Sequence, residues 1–96
     1  MQATSPGADV RHDPDRRRFG TSVDGVEAHL DYQRQQDAIR ITHTSVPAAI
    51  GGRGIAADLM RAVLDYARAE GLKVIPACSY AAAYLDRHPQ HADLRA

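Results

Sequence analysis

Between Arg18 and Thr44 the apolar residues Phe19, Val23, Val26, Ala28, Leu30, Tyr32, Ala38, Ile39 and Ile41 fall in short alternating runs separated by turn residues. Alternation with a period of two is the pattern of strands that bury one face. Asp24-Gly25 separates the first two runs. A type I′ hairpin turn needs two positive φ values, which Asp and Gly tolerate. Gln35-Gln36-Asp37 separates the second run from the third, so the pattern predicts an antiparallel three-stranded meander at about 17–23, 26–34 and 38–44.

After Pro47 the period changes. Gly51-Gly52-Arg53-Gly54 leads into a stretch where Ile55, Leu59, Val63 and Tyr66 recur at spacings of four, four and three, which is one face of a helix. Gly71 is placed to stop it. The apolar run Leu72 to Ala77 predicts a further strand, and Pro76 puts its end at an edge or a splay in the sheet. Ser79 to about Arg87 predicts a second, Ala-rich helix ended by Pro89. The order strand, strand, strand, Gly-rich loop, helix, strand, helix gives an α+β fold with two helices covering a sheet. Residues 1–15 hold Ser5-Pro6-Gly7 and a charged run, with Val10 as the one sizeable apolar anchor. They are expected to form a flexible N-terminal tail, leaving 16–96 as a single domain.

Composition narrows the function classes. A chain of 96 residues and 10.5 kDa is one small domain, which excludes a two-domain enzyme. At this length only about 60 to 65% of the unfolded chain's surface is buried, so a bound ligand or a partner subunit adds usefully to stability. Twelve basic and twelve acidic residues cancel, leaving no overall field to draw in nucleic acid or an anionic membrane. Asp13 and Asp15 lie beside Arg16-Arg17-Arg18, so this triplet reads as a solvated edge rather than a phosphate site. Neither direct nucleic-acid binding nor a membrane partner is expected. Cys78 is the only cysteine and cannot form an internal disulfide. With no long apolar run and a polar N-terminus, a cytoplasmic location is expected.

Several residues carry candidate chemistry. Three glycines in four positions before a helix leave backbone N–H groups free at the positive end of the helix dipole, where an anion can sit. The loop fits neither the P-loop nor the dinucleotide fingerprint, and on spacing alone a tight turn is the commoner reading. Cys78 falls between a strand end and a helix start, a place that favours a thiolate, although a free Cys is also a small buried filler. His43, at the end of the third strand, is either a general base or a half-exposed strand histidine. Tyr80 and Tyr84 share a helix face as hydroxyl donors or as core packing. Arg87 and His88 follow at the helix end, where cations are favoured. His88, His91, Asp93 and Cys78 match none of the common zinc spacings, so no metal is expected.

Taken together, His43-Thr44-Ser45-Val46-Pro47, Gly51-Gly52-Arg53-Gly54-Ile55-Ala56, Pro76-Ala77-Cys78, and Tyr84-Leu85-Asp86-Arg87-His88-Pro89 with Asp93-Leu94 resemble the short GNAT-like N-acetyltransferase family. The resemblance runs from about Val10 to Leu94. It implies a reduced GNAT (acyl-CoA N-acyltransferase) fold and acetyl-CoA as cofactor. The superfamily's loop pattern, Gln/Arg-x-x-Gly-x-Gly/Ala, binds the CoA pyrophosphate, and Gly54 and Ala56 match its second half. Gly51 stands where the pattern has Gln or Arg, and Arg53 offers a replacement charge; Gly52 and Ile55 complete the loop. Thr44, Ser45 and Val46 are implied as the strand edge for the pantetheine arm, with Tyr80, Arg87 and His88 as further cofactor contacts. Cys78 is implied beside the thioester, His43 as the base, and Tyr84 as the acid for the departing thiolate. The implied activity is acetyl transfer to a primary amine, a small molecule or a protein lysine, by the superfamily's usual direct attack or through Cys78. Ser45 stands where many relatives have Glu. That departure, with Gly51, favours a second reading as a non-catalytic CoA-binding or protein-interaction module. A thin sheet with an edge strand allows a monomer or a weak homodimer.

Overall fold

The computed structural model describes residues 9–96. Strands β1 (Arg11–Asp13), β2 (Arg18–Val23), β3 (Val26–Arg34) and β4 (Ala38–Ser45) are followed by helix α1 (Ile55–Glu70), strand β5 (Lys73–Pro76) and helix α2 (Ser79–Arg87). Short 3-10 turns cover Ala48–Ile50 and Pro89–Leu94. The sheet order is β1-β2-β3-β4-β5, antiparallel throughout except for the parallel β4–β5 pair that the α1 crossover requires. The meander matches the alternating pattern, and Asp24 (φ 52°) and Gly25 (φ 77°) make the turn between β2 and β3.

Alternation decides which face is buried. Phe19 and Thr21 of β2, Ala28, Leu30 and Tyr32 of β3, and Ile39 and Ile41 of β4 turn inward, where they meet Leu59, Met60, Val63, Leu64 and Ala67 of α1. Ala81, Tyr84 and Leu85 of α2 join the same core. Helix α1 stops at Gly71, in the left-handed region at φ 69°, and Leu72 N then reaches Ala67 O at 2.8 Å. This is a Schellman closure, with Leu72 and Ala67 both buried against the core. After α2 the chain returns along the outer edge of β5, where Arg95 bridges Val74 and Ala96 N donates to Val74 O at 2.9 Å.

Strand β1 falls within the stretch assigned to the N-terminal tail, of which residues 1–8 lie outside the described residues. A histidine serves as its inward anchor, which a count of apolar residues does not register. The His12 ring lies flat on Phe19, its cross-strand partner, at 4.1 Å between centroids, and meets Tyr66 of α1 edge-on at 4.5 Å. Tyr32 Oη and His12 Nε2 share a hydrogen bond of 2.5 Å. Thr21 Oγ1 ties the strand's approach by donating to Asp9 O at 2.6 Å.

Burial lowers the His12 pKa from its usual 6.5, against a smaller opposing pull from Asp13. The unfolded chain therefore binds this proton more readily than the folded one. Stability is full above pH about 6.5 and falls as acid drives the pH down towards the lowered folded value. Urea midpoints between pH 7.5 and 5.5 are expected to drop more for the wild type than for His12→Phe, which keeps the ring contact and has no proton to take up. Equal drops would contradict the assignment.

Candidate active site

The site begins where the sheet opens. Strands β4 and β5 pair from Ala38 with Lys73 to Ile41 with Pro76, and Ala77 N makes a last bond to Ile41 O at 2.9 Å. From there β4 continues through Thr42, His43, Thr44 and Ser45, while the other chain turns away through Cys78 into α2. Pro76 therefore marks a splay, as its position predicts. The β4 backbone beyond Ile41 presents an edge on this side with no β5 partner.

A bulge resets which way that edge faces. Asp31 pairs with His43 but Tyr32 pairs with Ile41, so Thr42 is the extra residue. Thr44, opposite the buried Leu30, now points inward; His43, opposite Asp31, points to the solvent-facing side of the sheet. Without the bulge His43 would continue the inward phase of Ile39 and Ile41. The structure thus puts His43 and Cys78 on opposite sides of β4, a separation the linear sequence does not reveal.

Cys78 is the N-cap of α2. Its half-buried Sγ accepts from Ala81 N at 3.4 Å and stands 3.6 Å from Thr44 Oγ1 across the opening. Helix α1 follows β4 through the 3-10 turn and the glycine loop. Gly52 and Gly54 have φ of 77° and 76°, left-handed values that other residues rarely adopt. Gly51 N is already committed to Ala48 O at 3.1 Å, and the first helical bond is Asp58 N to Gly54 O at 3.0 Å. The amides between those two, from Gly52 to Ala57, are the ones that precede intrahelical pairing and point out of the helix start. Arg53, the candidate replacement charge, reaches Asp24 at the β2–β3 turn at 2.7 Å.

The aromatic candidates lie on α2. Tyr84 is buried, with its ring stacked on His88 at 3.9 Å and Tyr80 at 6.1 Å. Burial first, and Tyr84 second, pushes the Tyr80 pKa above its usual value, which keeps that hydroxyl protonated and able to donate. His88 Nδ1 donates to Tyr84 O at 2.7 Å and so closes the helix end; Arg87 is exposed one residue before it. Asp93, weighed above for a metal, is gripped by Arg68 through bonds of 2.8 and 3.3 Å. Among the described residues no three His, Cys, Asp or Glu side chains gather as metal ligands, and no helix is long and apolar enough to cross a membrane.

One constellation was not among the sequence candidates. On the solvent-facing side the His43 ring lies 5.9 Å from that of His29 on β3. His29 Nε2 is 3.7 Å from Asp31 Oδ2, and Arg18 of β2 holds Asp31 with bonds of 2.7 and 3.3 Å. The available signal was the outward phase of β3, where Glu27, His29 and Asp31 alternate with Ala28, Leu30 and Tyr32. The register that brings that phase to His43 is not written in either strand alone.

Residues 18–94 match the family described as GCN5-related N-acetyl-transferase. Protein NATD1 of Mus musculus is 37% identical over 83 residues, covering 83% of this chain and 76% of that protein. Protein NATD1 of Xenopus tropicalis is 33% identical over 94 residues, covering 93% and 86%. The NMR solution structure of a GCN5-like protein from Staphylococcus aureus superposes with a TM-score of 0.75 at 27% identity, covering 94% of this chain and 89% of that one. The mixed five-stranded sheet and its helices share that protein's fold.

Proposed function

We propose, from the premise that this chain belongs to the GCN5-related N-acetyltransferase family, that it moves an acetyl group from acetyl-CoA to a primary amine. The acceptor is a small amine or a protein lysine, and the setting is the cytoplasm. The observation that carries this reading is the opening between β4 and β5, with Thr44 and Cys78 across it. The glycine loop adds, at the start of the next helix, amides with no backbone acceptor among the described residues.

Each group has a task that follows from its place. The β4 edge at Thr44, Ser45 and Val46 offers backbone hydrogen bonds to the amide-bearing pantetheine arm, as an added strand would. The amides of Gly52, Arg53, Gly54, Ile55 and Ala56 receive the pyrophosphate at the positive end of α1. Gly51 shapes the turn that presents them. Arg53 can join, because an exposed pair such as Arg53–Asp24 is worth less than about 1 kcal/mol and yields readily to a phosphate. Tyr80, Arg87 and His88 border the cofactor from α2.

Acetyl-CoA supplies the activated acyl group. His43, on the other side of β4 from Cys78, takes the proton of an amine that approaches the opening from the solvent-facing side of the sheet, and Tyr84 gives one to the departing sulfur. The amine nitrogen bonds to the thioester carbonyl carbon as the carbon–sulfur bond breaks. Cys78, half-buried and already hydrogen-bonded to the first turn of α2, lines the pocket, so direct attack is the preferred route.

Intact-mass spectrometry after incubation with acetyl-CoA and then a mixed amine panel tests this. Wild type is expected to yield acetylated amine with no enzyme adduct, and Cys78→Ala to continue at a reduced rate. An adduct absent from Cys78→Ala and Cys78→Ser, and discharged by amine, would establish the covalent route instead. CoA binding with neither adduct nor product would establish the non-catalytic module, the reading that Ser45 and the engaged amide of Gly51 favour.

A further inference from the structure

We propose that His29 is a positioning residue of the proton path, taking over from His43 the proton that leaves the amine. This rests on the acetyl-transfer reading above. Two neighbouring cross-strand rows carry it. Gly20, His29 and Ser45 form one row across β2, β3 and β4; Arg18, Asp31 and His43 form the next. His29 and His43 are therefore diagonal neighbours on one face, within reach of each other's rings, and their centroids stand 5.9 Å apart.

Charged groups face His29 from two strands. Glu27 and Asp31 flank it on its own strand, and Asp31 is the nearer, 3.7 Å from Nε2. Arg18 faces it diagonally from β2 but spends its guanidinium on Asp31, which fixes the carboxylate in place. Gly20, directly across, puts no side chain over the ring, and Ser45, across on β4, adds no charge. A proton passed from His43 to His29 thus arrives beside a fixed carboxylate. The balance closes through solvent: the amine gives one proton to His43 and on, through water, to His29, the imidazolium returns it to water, and the departing thiolate takes one from Tyr84, which regains its proton from water.

A purely structural role would look different. His29, Asp31 and His43 lie on the face opposite the core, so replacing His29 should leave folding almost untouched. For His29→Asn, kcat for amine acetylation is expected to fall on the order of a hundredfold, the low end for a proton-transfer group, with KM for acetyl-CoA and the melting temperature unchanged. His29→Ala is expected to recover kcat when millimolar imidazole is added. A His29→Asn rate within twofold of wild type, or a loss that follows the melting temperature and ignores imidazole, would overturn the proposal while leaving acetyl transfer intact. A wild type that binds CoA and acetylates no amine would overturn both.

Discussion

Replacing Gly54 by valine is expected to abolish the thermal protection that CoA gives this protein while leaving the chain folded. Gly54 sits at φ 76°, with nothing within 4 Å of where a Cβ would stand, so the obstacle is backbone conformation rather than space. A β-branched residue is a true outlier in the left-handed region, at a cost of order 1–3 kcal/mol. Rather than bear this cost, the loop is expected to shift, turning the amides from Gly52 to Ala56 away from a common centre. Helix α1 itself begins at Ile55, whose side chain is buried, and has no need of Gly54 beyond its first hydrogen bond. At a hundred times Kd, CoA should stabilise the wild type by about 2.7 kcal/mol, raising its melting temperature by about 10–20 °C. The Gly54→Val protein should melt a few degrees lower without CoA and show no rise with it. An undiminished rise would remove the loop from the binding site.

The second large effect lies in the core. Leu59→Ala removes a side chain with no solvent exposure, one turn into α1. Such truncations cost about 2–5 kcal/mol. For a domain of this size that lowers the melting temperature by about 10–30 °C, a large part of the total stability. The loss should appear in the urea midpoint with an unchanged slope, and CoA should recover part of it by mass action. A loss below about 1 kcal/mol would show that this helix face collapses around the gap instead of depending on Leu59.

The elements that local chemistry specifies were legible in the sequence. Asp24-Gly25 names its own turn type, Gly71 its own helix end, and Pro76 the place where two strands part. Long-range pairing was not legible. Strand β1 is three residues held by His12 stacking on Phe19, and neither its length nor a buried imidazole adds to an apolar period. The bulge at Thr42 arises only when β4 meets β3, yet it alone turns His43 outward and Thr44 towards Cys78. The same register brings His29 to His43, so half of the solvent-facing constellation lay outside any motif. Arg53 was legible as a charge near the loop, but its engagement with Asp24 depends on the β2–β3 turn folding back beside it.

Acetyl transfer by this chain requires acetyl-CoA to bind along the β4 edge beyond Ile41 and on the amides before α1. Titrating acetyl-CoA into ¹⁵N-labelled protein and following backbone amide shifts tests it most directly. The large shifts are expected to gather at Thr44 to Val46, Gly52 to Ala56 and Cys78 to Ala81, while β1 and the outer part of β2 stay still. Shifts gathered on β1 and β2, or none at saturating acetyl-CoA, would contradict it.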